Sequence, residues 1–292
     1  MIALAPRDLV LLVGITLIWG VNLVVSKMGI EHLPPVFFTL LRFSIAAVLL
    51  VPWLRLHVGQ MSALVVAALL SGGAHVALLF VGLALAENVS SVAIAGQLGV
   101  PFTTLLSVAL LGEVVRWRRW TGIILAFAGV AIMSFDPQVI GRWSSLGLVV
   151  ASAFVGSLGL IAIKKLSGFR PVELQAWVAW TSVPVLLAIT PLVERDAIPP
   201  MASVPPSAWA AVGFAAVVSS VVAQGGFYRL LQRYPVTSVA PLTTLSPLFS
   251  VAFGVLLLDD RLTSRIVIGG ACTLVGVLII TLRERRISDT GT

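Results

Sequence analysis

The residues of this chain that could do chemistry sit in apolar surroundings, and most of them carry no charge. Trp19, Asn22 and Ser26 recur at spacings of three and four, so they share one face of a helix. His75 has Gly72 and Leu79 on its own helical face, and Gln97 stands in a later apolar run. Gln175, Trp177 and Trp180 occupy another run. Ser219, Ser220, Gln224 and Tyr228 follow in the next, then Thr243, Thr244 and Ser246. Amides, hydroxyls, imidazole and indole can hydrogen-bond and stack on a small solute, and they can equally join helices to one another. They do not assemble a nucleophile, a general base and an acid. Ser71 and His75 lie four apart on one helix with no supporting motif, and no His-Glu-x-x-His run or buried pair of acids occurs. The single cysteine, Cys272, excludes an internal disulfide and a cysteine-based metal site. The expectation is a binding protein with no catalytic residue, no metal and no cofactor.

The elements that must carry these residues are set by composition. The 292-residue chain is 59% hydrophobic and 11% charged, with a mean hydropathy of +1.07. So little polar sequence cannot cover a soluble core. Apolar runs of about 20 residues are what a bilayer requires. Ten occur, at 7–28, 34–53, 61–84, 89–111, 117–135, 143–164, 171–190, 207–228, 236–258 and 263–282. The fold class expected is all-α, an integral membrane protein of ten transmembrane helices. The first run lacks a small-residue cleavage site and is expected to be retained rather than removed as a signal peptide. The net charge of +7 is read as orientation and not as a nucleic-acid footprint. With the N-terminus inside, the basic residues Arg116, Arg118, Arg119, Lys164, Lys165, Arg170, Arg229 and Arg233 fall in the cytoplasm, and far fewer fall opposite. Both termini are then cytoplasmic. Trp53, Trp117, Trp120, Trp143 and Trp209 fall at span ends, where tryptophan anchors at the headgroups; Trp19 and Trp180 lie deeper, with Trp177 between.

The chain contains one stretch twice. At an offset of 147 residues, Ser91-Val92-Ala93 meets Ser238-Val239-Ala240, Leu110-Leu111 meets Leu257-Leu258, Glu113 meets Asp260, Gly122 meets Gly269 and Gly129-Val130 meets Gly276-Val277. The halves are placed at 1–140 and 141–292. Each has five spans, so they lie in the membrane with opposite orientation, an inverted repeat with a site expected between them. Pro101 and Pro247 fall inside equivalent helices. A mid-helix proline leaves the carbonyl four residues earlier without a donor, here those of Gln97 and Thr243. Both prolines are therefore candidate hinges as well as packing kinks. Small residues at 122, 126 and 129, and at 269, 273 and 276, make faces for close packing within the chain, and the expected state is a monomer.

These motifs resemble the drug/metabolite transporter superfamily in its EamA branch, and most of all its YddG-type amino acid exporters. The residues that carry the resemblance are Trp19-Gly20-Val21-Asn22 with Lys27, Pro35 with Arg42, Pro101 leading to Leu110-Leu111-Gly112-Glu113, and Pro247 leading to Leu257-Leu258-Asp259-Asp260-Arg261-Leu262-Thr263. It spans essentially the full length and is specific for fold rather than cargo. Two departures stand out. Asp259-Asp260 replaces the usual Gly-Glu, and the second half carries Gly156-Ser157-Leu158-Gly159 in place of a Trp-Gly-x-Asn run. The resemblance implies an alternating-access exporter in a bacterial inner membrane. No span has an acid in its middle, so the carboxylate with which small multidrug-resistance relatives exchange protons for cationic drugs has no counterpart. Arg42, inside the second span, could attract a carboxylate or anchor structure on carbonyls or water, and the anchor is the expectation. The site expected to bind substrate is Trp19, Asn22, His75, Leu79, Gln97, Trp177, Trp180, Gln224 and Tyr228. It suits a neutral or zwitterionic solute with an apolar part, such as an amino acid, in contact with the lipid bilayer as the only other partner. The alternatives are another small metabolite, or a membrane enzyme acting on lipid-linked groups.

Overall fold

The computed structural model describes residues 5–57, 59–112, 115, 117–136, 139, 142–166, 168–234, 239 and 242–282, except the side chains at 228, 231, 232 and 282. Helices dominate it. The first half holds α1 (Pro6–Ile30), α2 (Pro35–Leu50), α3 in the segments Met61–Leu69, Leu70–Ala74 and His75–Leu85, α4 in the segments Val89–Gly96 and Gly99–Leu111, and α5 (Trp117–Ser134). The second holds α6 (Trp143–Lys164), α7 (Pro171–Val193), α8 in the segments Pro206–Gly213, Phe214–Ala223 and Gln224–Arg233, α9 (Leu245–Leu258) and α10 (Ser264–Leu282). Proline stands in the first turn of α1, α2, α7 and α8, where its missing N–H costs nothing and its fixed φ suits a helix start.

Eight of these helical stretches are long and apolar enough to cross a membrane, among the described residues. The expected count was ten. The Trp117-Arg118-Arg119-Trp120 start lowers the hydropathy of α5, and α9 runs for only 14 residues because a turn at Thr244 interrupts it. Residues 235–238, 240 and 241, part of the ninth expected run, lie outside the described residues. The tryptophans at 53, 117, 120, 143 and 209 are all exposed on the outer surface, as headgroup anchors must be.

Each half lends its third helix to the other. The π-helical segment of α3 packs on α6 and α7, and the π-helical segment of α8 packs on α1 and α2. Glycine allows the first of these contacts. A Cβ on Gly72 would meet the Val178 side chain at 2.6 Å, and one on Gly159 would meet the Ser71 backbone N at 2.5 Å. Another close crossing is between α5 and α10. A Cβ on Gly122 would lie 2.8 Å from the Gly276 carbonyl oxygen, and one on Gly276 would lie 2.6 Å from that of Gly122. Gly129 faces Gly269 in the same manner, and Thr273 Oγ1 donates to Gly269 O at 2.8 Å. Gly122 opposite Gly276 and Gly129 opposite Gly269 make the helices antiparallel. The 147-residue offset turns one pair into the other.

The prolines correct an expectation. Pro101 is not mid-helix: α4 ends at Gly96, turns through Gln97 and Leu98, and restarts at Gly99, so Pro101 is the third residue of a new helix. The Gln97 carbonyl expected to be orphaned accepts the Val100 N–H at 3.1 Å. Pro247 likewise is third in α9, after Thr244. A proline in a first turn removes no intrahelical bond, so the break lies before it.

Candidate functional site

A cavity of ≈ 730 Å³ lies between the halves. Both interrupted helices aim polar residues into it. The π-helical turn Leu70–Ala74 hands α3 over to His75, and the π-helical run Phe214–Ala223 contains Ser219 and Ser220 and hands α8 over to Gln224; all four line the cavity. A π-turn inserts one residue per turn, which shifts the face that follows, and such turns gather at functional sites. The break in α4 contributes Gly96, Gln97 and Gly99, and its partner in α9 contributes Thr243, Ser246 and Pro247.

His75 is fixed from one side. Its Nδ1 lies 2.8 Å from the Ser152 carbonyl oxygen, and Ser152 Oγ donates to the His75 carbonyl at 2.8 Å. A carbonyl can only accept, so in the neutral ring Nδ1 carries the hydrogen and Nε2 keeps its lone pair. Gly156 makes room for the ring, since a Cβ there would sit 2.8 Å from Nδ1. Arg42 Nε donates to Ser220 Oγ at 2.8 Å, and Ser220 Oγ donates onward to the Ala215 carbonyl at 2.8 Å. The guanidinium carbon stands 5.6 Å from the Phe80 ring centroid, within cation–π range. Asn22 is 8% exposed and its Oδ1 has no partner among the described residues; Ser26 Oγ and Ser71 Oγ are also buried without one there.

Trp19, Asn22, His75, Leu79, Gln97 and Gln224, all expected to contact substrate, line this one cavity. Trp19 also stacks edge-on against Phe227 at 5.0 Å. Trp177 and Trp180 are not among the lining residues. Trp177 Nε1 donates to the Arg55 carbonyl and Trp180 Nε1 to the Ala47 carbonyl, each at 2.9 Å. These indoles close off carbonyls at and beyond the end of α2, and Trp180 is 43% exposed on the outer surface. The side chain of Tyr228 lies outside the described residues. Pro247 borders the cavity while Pro101 is buried behind it. Sequence reasoning weighed Arg42 as a carboxylate contact but favoured an anchor, and it missed Ser152, Ser157 and Lys164 as cavity residues. The Gly72-Gly73 pair, marking a helix that another backbone approaches closely, was the available signal for the α3 turn.

Among the described residues, the cavity lining reaches one end of the bundle. Ser107, Arg119, Lys164, Ile280 and Thr281 line it there, near the end of α4, the start of α5 and the ends of α6 and α10. The opposite end is tied shut. Lys27 Nζ donates to the carbonyls of Leu83 at 2.9 Å and Ala86 at 2.8 Å, capping α3. Asp260 accepts from Ser90 N at 2.8 Å and Ser90 Oγ at 2.7 Å, capping α4. Glu194 accepts the N–H groups of Val36 and Phe37, each at 2.8 Å, joining α7 to α2. Thr263 donates to Asp136, and Arg265 to the Phe135 carbonyl. Burial pushes the Glu194 carboxyl above its ordinary range, against the pull of those two backbone N–H groups.

Among known proteins, the EamA-like transporter family matches this chain over residues 7–135 and again over 142–282. A probable amino-acid metabolite efflux pump of Escherichia coli is 27% identical over 99% of this chain and 100% of its own length. Its namesake in Salmonella typhimurium is 26% identical, covering 94% and 95%. The uncharacterized inner membrane transporter YedA of Escherichia coli is 24% identical, covering 93% and 89%. One solved crystal structure superposes with a TM-score of 0.65 at 18% identity, over 96% of this chain and 99% of that one, a likeness of fold.

Proposed function

The chain belongs to the EamA-like transporter family, and on that premise we propose that it exports amino acids or closely related zwitterionic metabolites by alternating access. It is a multi-pass membrane transporter of small metabolites, and the reading of the chain as an enzyme on lipid-linked groups falls with that assignment. The observation that carries the finer proposal is the ≈ 730 Å³ cavity with hydroxyl, amide, imidazole, indole and guanidinium groups on its walls. A chamber of that size takes a small organic solute, and its mixed walls suit one with an apolar part and polar ends. Names of relatives that refer to amino-acid metabolite efflux support the same cargo.

The inverted repeat of ten spans belongs to this proposal, and two observations support it. The family matches once in each half. The α5–α10 crossing exchanges its two glycine pairs under the repeat offset while the helices run antiparallel, so the axis relating them lies across the helices and not along them. With both termini cytoplasmic, in a bacterial inner membrane, the cavity opens inward and the ties at Lys27, Asp260 and Glu194 close the outer end. Such a state loads cargo from the cytoplasm. The proposed substrate contacts are Trp19, Asn22, His75, Leu79, Gln97 and Gln224, with Pro101 and Pro247 marking paired joints; the protein acts as a monomer.

The test is uptake of labelled amino acids into liposomes holding the purified protein, with and without a pH gradient. Saturable uptake of apolar and aromatic amino acids is the expected result. No uptake of any amino acid, from liposomes shown to contain folded protein, moves the cargo to another metabolite class.

A further inference from the structure

We infer that Arg42 is a carboxylate-recognition point of the chamber and that the solute it takes is an organic acid or zwitterion, never a simple amine. The inference rests on reading the chamber as the transport site and goes on to name the group that fits there. The guanidinium is held along one edge, with Nε on Ser220 Oγ and the carbon over Phe80. Because Ser220 Oγ gives its own hydrogen to Ala215, it can only accept from Arg42, and this fixes the plane of the fork. The two terminal nitrogens make no hydrogen bond or ion pair among the described residues, although Arg42 lines the cavity. A guanidinium fixed in this way offers parallel N–H donors that match a carboxylate.

The charge balance points to the same ligand. Arg42 lines the chamber with Lys164 at its open end, and no Asp or Glu does so among the described residues. A cation away from bulk water gains most from an anion that arrives with the solute, whereas an amine meets repulsion with no counter-charge on the walls. Asn22 lines the same chamber, and its buried Oδ1 is an acceptor with no donor among the described residues. It suits the N–H of a solute whose acid end is held by Arg42, which makes an amino acid a better fit than a plain acid.

Three probes with one side chain separate these groups: phenylalanine, phenylpropanoate, which lacks the amine, and phenethylamine, which lacks the acid. Their binding to the full-length protein in nanodiscs is followed by tryptophan fluorescence and by the shift of the unfolding midpoint. The expected order is phenylalanine, then phenylpropanoate, with phenethylamine weaker than either by about tenfold or more. Arg42→Gln weakens both acids by about tenfold or more and leaves the amine unchanged, while Arg42→Lys retains part of the affinity. The wild-type comparison stands even where a variant folds badly. Equal binding of phenethylamine and phenylpropanoate overturns the inference, as does unchanged acid binding by folded Arg42→Gln or failure of both acids to bind the wild type. Phenylalanine transport into liposomes, measured alongside, keeps the two readings apart. Transport without any Arg42 dependence overturns this inference and spares the export proposal. Arg42-dependent binding without transport supports this inference and overturns that proposal.

Discussion

Asp259 shows how a single residue departs from its counterpart at a cost. It closes α9 in the left-handed region at φ 53°, where Gly112 closes α4 at φ 68°. Glycine adopts that conformation freely, whereas a side chain crowds its own carbonyl. Asp259→Gly should therefore raise stability by about 1 kcal/mol, read as a higher unfolding midpoint in detergent with transport unchanged. His75 gives a second test at this scale. Ser152 meets it through both its carbonyl and its hydroxyl, so Ser152→Ala removes the hydroxyl contacts to the ring and to the His75 backbone and leaves only the carbonyl's bond to Nδ1 in place. Transport should fall only a few-fold in Ser152→Ala and much further in His75→Ala. Equal losses in both would show that the hydroxyl, and not the ring, matters.

At the scale of the helix, the sequence revealed faces better than interruptions. The small residues at 122 and 129, and at 269 and 276, were legible as close-packing faces, because only a bare backbone tolerates carbonyl oxygens so near. Trp19, Asn22, His75 and Gln97 were legible because polar groups in apolar runs must turn inward. The π-turns of α3 and α8 were harder to read: the Gly72-Gly73 pair marked the first as a place of close approach, and no comparable residue pair marks the second. Trp177 and Trp180 misled for a related reason: depth along a helix does not say which side an indole takes, and theirs follow carbonyls around the end of α2. Gly129→Leu drives a side chain into the α10 backbone and should destabilise by about 2 kcal/mol or more, seen as loss of folded protein in the membrane. The tie from α7 to α2 carries a pH signature. The Glu194 carboxyl sits above its ordinary range, so the folded protein holds that proton more tightly than the unfolded chain. This group's contribution to stability therefore falls as pH rises from the ordinary carboxylate value to the raised one. Glu194→Gln should flatten that slope, measured as unfolding midpoint against pH.

For the whole molecule, the cavity reaches one end, and the inward-open proposal makes that end cytoplasmic. With Cys272 replaced by serine, a cysteine at Ser107 or Thr281, both on the cavity wall, should react with a membrane-impermeant thiol reagent only from the cytoplasmic face in inside-out vesicles. Reaction from the opposite face in intact cells would reverse the orientation. The α5–α10 crossing bears on the same cycle. If the halves trade conformations as the transporter turns over, Gly122 against Gly276 becomes Gly269 against Gly129, which is the contact already present. Interactions on the pseudo-axis therefore contribute equally to both end states, and damage there removes protein without favouring either direction. Interactions away from the axis have no such neutrality. Lys27 is spent on carbonyls at the shut end, while Lys164, its counterpart near the end of α6, makes no hydrogen bond or ion pair among the described residues. Neutralising Lys27 should tilt the equilibrium outward and neutralising Lys164 should hold it inward, so the seam sets how much transporter exists and the two lysines set which way it faces.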